Sequence, residues 1–370
     1  MPFSARVLVL DADPARPLNI GDKLGARGYR ALHADSVDAA KSIASSALLN
    51  VAIINTPTKE SNGTDVIEAL KESWRGEHMP LIVVSEDVEL ERKSLESAEG
   101  MADFLPRSFK EIELFSRLTS LVRLNTMQRE LSRRHDTASK FGVEGPRHVD
   151  PPGGLTQRNI LILARQPADA QALRRIYPAQ ARVTLLADSF EALDFLLLNK
   201  FVDAVVVSVG AKPDPDYVQF CADLRRNSRL FNMPMLLVAD CGADADALYS
   251  AEASEVLLRP LQTADLLFRT ETLVRQNLYR LALRSVFREV CDPMTSDGLT
   301  GLYSYGFLYE HLSALIDDAK ECEKNLSVGF FDMEGIAHVN RTNGYVAGDK
   351  VLRQIGSLIG NLVRGEDLVA

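Results

Sequence analysis

The chain has 370 residues, of which 46% are hydrophobic and 25% are charged, and its formal net charge is −9 at pH 7. This length exceeds what one hydrophobic core usually organises, so two or three globular domains are expected. The negative charge argues against non-specific nucleic-acid binding, and no apolar run reaches the roughly 18 residues that a membrane span needs. The four cysteines are scattered without a Cys-x-x-Cys pair, and no signal-peptide core is present. We therefore expect a cytoplasmic protein whose cysteines are buried free thiols.

Three short apolar runs, over residues 7–10, 51–54 and 81–84, alternate with helical patterns at the start of the chain. A fourth short strand is predicted over 103–105. Continuous apolar runs are typical of strands buried on both faces of a parallel sheet. The pattern predicts a doubly wound α/β domain over residues 1–130, with function at the carboxyl ends of the strands, followed by a linker over 131–157.

The same pattern then repeats over residues 158–280. Leu163 follows Leu10 by 163 − 10 = 153 positions, and Ser208 follows Asn55 by 208 − 55 = 153 positions. An arginine also follows the fourth strand of each copy. Two tandem copies of one flavodoxin-like, doubly wound domain account for this better than chance.

Polar residues stand at the ends of these predicted strands. They are Asp11, Asn55, Ser85 and Arg107 in the first copy, and Ser208 and Arg259 in the second. These positions resemble those of the receiver domains of response regulators. In that family, acidic residues after the first strand hold Mg²⁺ and an aspartate accepts a phosphoryl group. Only a carboxylate forms an acyl phosphate, so Asn55 and Ser208 predict two pseudo-receivers used for packing, dimerisation or docking.

Two further roles for charged residues near these positions stay open. Arg107 and Arg165 could fill the vacated pockets with fixed positive charge and lock one conformation, or they could be ordinary surface arginines. Asp11 with Asp13 could hold a cation weakly, or the pair could be a solvated strand end that caps a helix.

A long amphipathic helix over residues 266–290 is predicted to leave the second domain. Its second half, with the following residues, forms a predicted helical stalk or dimer seam over 281–296. The alternative is a final helix packed on its own sheet.

The C-terminal residues carry the most specific chemistry. An apolar run over 328–331 predicts a strand that ends in Asp332 and Glu334, whose side chains would point the same way. Asn340 follows, and Asp349 is predicted to open an amphipathic helix. Such an arrangement suits a divalent cation and a nucleotide phosphate, whereas the simpler interpretation is a solvated strand end and an ordinary helix cap.

The order Asp297-x-Leu-Thr-Gly-Leu, strand, acidic pair, Asn340, Gly-Asp349 and Arg364-x-x-Asp367 resembles the start of a GG(D/E)EF domain. That family condenses two GTP into cyclic di-GMP. The resemblance implies an incomplete nucleotidyl-cyclase-like α+β domain over 297–370, without the signature hairpin. It also implies that Asp332 is a metal ligand and that Asn340 and Asp349 recognise guanine. Arg364 and Asp367 would form the inhibitory cyclic di-GMP site, because a guanidinium can bind phosphate or guanine bidentately.

Departures from the family pattern predict a loss of catalysis. Gly335, Ala337 and Tyr345 replace an aromatic, a lysine and a histidine, so no catalytic residue is expected in the chain as written. The degenerate positions Asp332, Glu334, Asn340 and Asp349 leave little basis for a Mg²⁺ site, and cyclic di-GMP is the expected ligand.

The whole pattern resembles the two-receiver GG(D/E)EF response regulators, and in character their non-catalytic effectors. The resemblance implies a homodimeric cyclic di-GMP effector in cell-cycle control or regulated proteolysis. Its partners would be signalling or protease-adaptor proteins, and it would be recruited to a cell pole. Neither nucleic-acid binding nor membrane insertion is expected. The alternatives are a fragment of an active diguanylate cyclase and a dimeric scaffold that binds no nucleotide.

Overall fold

The structure is a computed structural model of the chain. The residues that it describes are 5–11, 13, 17–55, 63–74, 80–85, 102–144, 149, 158–199, 201–212, 214–227, 230–250, 253–289, 294–322 and 324–370.

The first sheet has five strands in the order β2-β1-β3-β4-β5. The strands are β1 (Arg6–Asp11), β2 (Arg30–Ala34), β3 (Val51–Asn55), β4 (Leu81–Ser85) and β5 (Ala102–Pro106). The β1–β2, β1–β3 and β4–β5 pairs are parallel. Helices α1 (Gly21–Ala26), α2 (Val37–Ser46) and α3 (Gly63–Lys71) follow the first three strands in turn. This strand order is that of the flavodoxin-like fold.

The second sheet repeats this topology, with the order β10-β9-β8-β6-β7. Its strands are β6 (Asn159–Leu163), β7 (Arg182–Leu186), β8 (Ala204–Val209), β9 (Met235–Ala239) and β10 (Glu255–Leu258). Between them lie α5 (Pro167–Ile176), α6 (Ser189–Leu198), α7 (Pro215–Arg226) and α8 (Ala245–Ser250). The prediction of two copies of one α/β domain is confirmed.

The core of the second domain lies on both faces of its sheet. Side chains at alternate positions pack into two separate clusters: Leu161 and Val205 join residues of α6, α7 and α8, whereas Ile160 and Val206 join residues of α5. Strands covered on both faces are apolar at every position, which explains the continuous runs in the sequence.

Two long helices run on from the last strand of each sheet, namely α4 (Glu111–Ser139) and α9 (Thr263–Glu289). Helix α9 confirms the long helix predicted from residue 266. Helix α4 corrects the predicted linker, because residues 131–139 continue the helix and bury polar side chains such as Arg134, His135 and Thr137. Of the rest of the predicted linker, residues 145–148 and 150–157 lie outside the described part of the chain.

The C-terminal segment contains α10 (Tyr305–Glu321), α11 (Ile336–Asn343) and α12 (Tyr345–Leu362). The Ser304 side chain caps α10 by accepting from the Phe307 N–H. The predicted strand over 328–331 is wrong, because these residues have no regular structure and Phe330 and Phe331 are 95% and 85% exposed. An apolar run becomes a strand only beside a neighbour that satisfies its backbone, and within the described residues of 294–370 the one pairing is an isolated Ser296–Tyr303 bridge.

Helix α12 begins at Tyr345, four positions before Asp349 where the sequence predicts its start. Gly344, with φ +83°, separates it from α11. A positive φ is easily reached only by glycine, which fixes the break at this residue.

The chain forms two compact units. One contains residues 1–80, 122–149 and 281–370, and the other contains residues 81–121 and 150–280. Among the helices that the structure describes, none combines the length and apolar character needed to cross a membrane.

Candidate functional site

The first receiver-like position is built at the carboxyl edge of the first sheet. Asp11 ends β1 and Asn55 ends β3, and the two residues are partners in the register of this parallel pair. Asn55 Nδ2 donates to Asp11 Oδ1 at 2.6 Å, while the Leu18 N–H donates to Asp11 Oδ2 at 2.8 Å. Neutral donors therefore engage both carboxylate oxygens. An amide stands where an acyl phosphate would require a carboxylate.

Ser85 and Arg107 also lie at the ends of strands. Ser85 ends β4 with a buried side chain, and Arg107 directly follows β5. The Arg107 N–H donates to the backbone oxygen of Ser85 at 3.2 Å. Their strand-end placement agrees with the sequence pattern, and the pocket-filling role of Arg107 stays a hypothesis.

The second receiver-like position is closed by its own side chains. Arg259 Nη2 donates to Ser208 Oγ at 2.8 Å, and Arg259 Nη1 donates to Asp240 Oδ1 at the same distance. Ser208 Oγ in turn donates to Asp169 Oδ2 at 3.2 Å, and Arg259 lies 3.7 Å from that carboxylate. A fixed cation and two carboxylates thus surround the hydroxyl group. Asp169 and Asp240 were not predicted from the sequence, although Asp240 directly follows β9 and so has the strand-end signal.

Arg165 does not fill this pocket, so that hypothesis is wrong for Arg165. Its side chain is largely exposed and pairs with Asp214 at 2.5 Å and Asp216 at 3.1 Å. The two carboxylates compete successfully because they flank the start of α7, close to Arg165. Arg259, rather than Arg165, supplies the positive charge beside Ser208.

A buried charge network that the sequence analysis missed joins the two repeats. Arg117 of α4 pairs with Glu255 of β10 at 2.8 Å, and Arg269 of α9 pairs with Asp103 of β5 at 2.8 Å. The offsets are 269 − 117 = 152 and 255 − 103 = 152, so each arginine pairs with the carboxylate of the other repeat. Burial by itself raises the pKa of Glu255, but the charges of Arg117 and Arg269 outweigh it and hold that pKa below its ordinary value. The signal available in the sequence was the offset of 152 positions, which Arg107 and Arg259 share (259 − 107 = 152) and which is one less than the offset between Leu10 and Leu163.

The predicted acidic pair of the C-terminal segment is exposed. Asp332 and Glu334 lie in the stretch between α10 and α11, and no strand orients them. No group of three or more His, Cys, Asp or Glu side chains that could hold a metal ion occurs within the described ranges.

Asn340 and Asp349 lie on α11 and α12. Asn340 Oδ1 is buried and accepts no hydrogen bond among the residues that the structure describes. A Cβ at Gly348 would collide with this oxygen, so the glycine allows Asn340 to approach α12. Asp349 is half-buried one turn inside α12. These amide and carboxylate groups are of the kind that recognises a guanine edge.

Asp297, which starts the Asp-x-Leu-Thr-Gly-Leu stretch, organises a tight turn. Its Oδ1 accepts from the Thr300 N–H and from Thr300 Oγ1, both at 2.8 Å. These hydrogen bonds lower the pKa of Asp297, the backbone donor at Thr300 contributing most. Gly301 completes the turn with φ +70°. The stretch acts as a structural corner onto which α12 packs through Gly356.

Arg364 and Asp367 form a second turn, after α12. Asp367 Oδ2 accepts from the Arg364 N–H at 3.2 Å, and both side chains are exposed. Between them in sequence, Glu366 lies 3.5 Å from Arg123 of α4. Burial lowers the pKa of the Arg123 guanidinium, Glu366 opposes this shift, and the charge of Arg364 adds to it. The turn therefore presents the Arg364 guanidinium and the Asp367 carboxylate, with the Arg123–Glu366 pair beside them.

Taken together, the two receiver-like sheets and the C-terminal segment have the organisation of a response regulator that carries a GGDEF domain. Residues 294–370 match the family model described as diguanylate cyclase, GGDEF domain. The chain is similar along its length to the response regulator PleD of Caulobacter vibrioides, with 26% identity over 99% of this chain and 80% of that protein. It is also 25% identical over 41% of its length to the probable diguanylate cyclase DgcE of Escherichia coli, covering 13% of that protein.

Two solved structures are also similar to parts of the chain. One is a response regulator receiver domain protein from Clostridium thermocellum. The matched region covers 32% of this chain and 94% of the chain in that structure, with 16% identity and a TM-score of 0.28. The other was crystallised as a two-component system response regulator/GGDEF domain protein. The matched region covers 74% of this chain and 98% of the chain in that structure, with 14% identity and a TM-score of 0.26.

Proposed function

We propose that this chain is a cyclic di-GMP-binding signalling effector or adaptor of the PopA type. Its receiver-like domains do not accept phosphate, and its GGDEF segment binds the dinucleotide without making it. The observation that carries the proposal is the Arg364–Asp367 turn with Arg123 beside it.

The chemistry of that turn suits a cyclic dinucleotide. A planar guanidinium donates two parallel hydrogen bonds to phosphate oxygens or to the O6/N7 edge of guanine. The exposed Asp367 carboxylate accepts from guanine N–H donors. Arg364 supplies the exposed positive charge for a phosphate, whereas Arg123 is already paired with Glu366.

Calorimetric titration of cyclic di-GMP tests this function. We compare the protein with Arg364→Ala and with Arg353→Ala, which removes another exposed arginine from α12. Loss of a charge-assisted hydrogen bond should weaken binding about 10- to 100-fold in Arg364→Ala, whereas Arg353→Ala should bind normally. Equal weakening in both variants, or no binding by the unmodified chain, would overturn the proposal.

The similarity to PleD and the match to the cyclase family model favour a second candidate function. In that case the protein is an active diguanylate cyclase that makes cyclic di-GMP from two GTP. Steady production of cyclic di-GMP from GTP by the complete protein would establish this activity and contradict the effector proposal.

The remaining expectations from sequence are part of the same proposal. We propose a homodimer that acts in the cytoplasm, is recruited to a cell pole, and delivers partners in cell-cycle control or regulated proteolysis. Light scattering on the full chain tests the first of these, because a monomeric mass with and without cyclic di-GMP would exclude the dimer.

A further inference from the structure

One side of helix α6 carries large apolar side chains that are open to solvent. Phe190 and Leu198 are 73% and 82% exposed, and Phe201, just after the helix, is 79% exposed. Asp194 lies four positions from each of the first two (194 − 190 = 198 − 194 = 4), and residues so spaced share one side of a helix. Together these four residues form the α6 face. Single exposed apolar residues are ordinary, whereas a group of large ones marks a binding surface.

The first receiver-like copy provides a comparison within the same chain. Helices α2 and α6 have ten residues each, and their first residues are 189 − 37 = 152 positions apart. The residues before them, Ser36 and Asp188, are also 188 − 36 = 152 positions apart. Each accepts a hydrogen bond through its side chain from the backbone N–H three positions further on. The two helices are therefore in register, residue by residue.

The first copy is polar where the second copy is apolar. Asp38 stands where α6 has Phe190 (38 + 152 = 190), and its side chain is exposed. Ser46 stands where α6 has Leu198 (46 + 152 = 198), and it is exposed as well. The same fold is thus built with polar residues at both positions. The apolar side chains of α6 serve a contact outside their own domain rather than the packing of that domain.

The charges beside the α6 face indicate which partner fits it. Asp188, Glu191 and Asp194 are exposed carboxylates along the first half of the helix. Helix α6 itself contains no lysine or arginine. A partner that combines apolar and basic side chains complements this surface in both respects.

The same charges disfavour two other occupants. If the α6 helices of two copies crossed at the centre of the face about a two-fold axis, the two Asp194 side chains would meet, and like charges repel each other. A membrane with anionic lipids would be repelled by the same carboxylates.

We propose that the α6 face docks an amphipathic helix of a partner protein, whose apolar stripe is flanked by basic residues. Phe190, Leu198 and Phe201 pack against the stripe, and the carboxylates of Glu191 and Asp194 pair with the flanking bases. This inference names the kind of partner for the adaptor role proposed above and rests on that role. It does not depend on ligand binding at the Arg364–Asp367 turn.

The charge preference is tested with two labelled synthetic helical peptides that share one leucine stripe. Lysines flank the stripe in one peptide, and glutamates replace them in the other. Fluorescence anisotropy with the full chain should show binding of the lysine peptide, weakened by salt, and at least about tenfold weaker binding of the glutamate peptide. Equal affinities, or no binding of the lysine peptide, would overturn the proposal.

The apolar contact is tested with the double variant Phe190→Asp/Leu198→Ser, which takes its residues from the first copy. The added carboxylate would strengthen a purely electrostatic contact with the lysine peptide. A loss of affinity of at least about tenfold therefore isolates the apolar contribution. Leu281→Ser, which removes an exposed leucine from α9, is the control and should bind normally. Unchanged binding by the double variant would overturn the proposal.

The other occupants are tested with the same double variant. A dimer seen by light scattering in the unmodified chain and abolished in the variant would assign the face to a second copy and overturn the proposal. Binding to phosphatidylglycerol vesicles that the variant loses would assign it to lipid, with the same consequence. Cyclic di-GMP titration of the variant should be normal. Failure of peptide docking beside intact dinucleotide binding would contradict the docking surface alone, and the reverse result would contradict the dinucleotide function alone.

Discussion

At the scale of single residues, Asn55 and Ser208, which the sequence predicts to stand at phospho-acceptor positions, both make internal hydrogen bonds. Asn55 is completely buried and donates to Asp11, and Ser208 is bound by Arg259. In each case a neutral side chain, rather than a carboxylate, hydrogen-bonds to its neighbours at the predicted position. We expect these contacts to hold each position in one state.

Restoring the carboxylate at Asn55 tests this interpretation. Asn55→Asp loses the 2.6 Å hydrogen bond and places a buried negative charge beside Asp11. We expect a loss of about 3–5 kcal/mol in the free energy of unfolding without metal, because an unpaired charge is buried. Mg²⁺ should recover part of this loss, since the two carboxylates become a cation site. Thermal unfolding with and without MgCl₂ measures both effects.

Asn55→Ala is the control, because it loses the same hydrogen bond and adds no charge. Its melting temperature should not respond to Mg²⁺. An Asn55→Asp protein that is as stable as the parent without metal would contradict the account of this position.

At the scale of elements, strands with a buried interior were predictable, whereas the half-buried edge strands β2 and β7 were not. Strands β3 and β4 are buried at every position, so their apolar runs are visible in the sequence. Strands β2 and β7 each lie at one end of a sheet, and most of their residues are half-buried or exposed. Their mixed composition shows no clear hydrophobic periodicity. For residues 328–331 the strand prediction failed in the opposite way. The run is apolar, but it has no neighbouring strand to pair with in the described C-terminal segment.

Partners that are distant in sequence explain what was missed in α4 and in the buried networks. Glu130 contacts His311, 181 positions away, and Arg117 contacts Glu255, 138 positions away. A polar stretch such as 131–139 looks like a solvated linker until the residues that pair with it are known. The positions of Arg364 and Asp367 could be predicted from the motif, whereas Arg123 and Glu366 could not, because the Arg123–Glu366 contact depends on the fold.

Two glycines in α12, one turn apart, give opposite predictions for the same substitution. A Cβ at Gly356 would lie 2.8 Å from the Thr300 backbone oxygen and 2.9 Å from Thr300 Cβ, whereas at Gly360 the nearest atom is Leu302 Cδ2 at 3.6 Å. Gly356→Ala should destabilise the segment by about 1–3 kcal/mol through overpacking. Gly360→Ala should stabilise it by up to about 1 kcal/mol, because alanine favours the helix.

Denaturant unfolding measures the change in the free energy of unfolding for each variant. Hydrogen exchange of peptides from α12 then shows whether the change lies in this helix. The two proteins differ only in which turn of α12 carries the methyl group, so helix propensity cancels between them. Equal effects of the same sign would show that α12 does not pack on the Asp297–Leu302 turn.

At the scale of the whole molecule, each compact unit depends on a buried carboxylate held by arginines. Glu130 lies in the unit that contains residues 122–149, and Glu255 lies in the unit that contains residues 150–280. The pKa of Glu130 is lowered to about 2 from 4.5, and that of Glu255 is also lowered. Acid should therefore destabilise both units by the same physical route.

The sign follows from proton linkage. A carboxylate with a lowered pKa in the folded state contributes stability that is fully present above its ordinary pKa of 4.5 and is lost as pH falls toward 2. For Glu130 the difference corresponds to about 3 kcal/mol. We expect the free energy of unfolding to fall across this window, with hydrogen exchange in each unit rising in parallel. Glu130→Gln should flatten the pH dependence of the first unit only, and Glu255→Gln that of the second only.

The slope against pH is the decisive quantity, because both glutamine variants also leave buried arginines without their partners and lower stability at every pH. That constant loss shifts the curve without changing its steepness. If Glu130→Gln keeps the full acid dependence of its unit, then other carboxylates carry the linkage and Glu130 is not held ionised by Arg134 and His311. If it flattens the curve, Glu130 is the carboxylate whose ionisation stabilises the unit that contains residues 122–149.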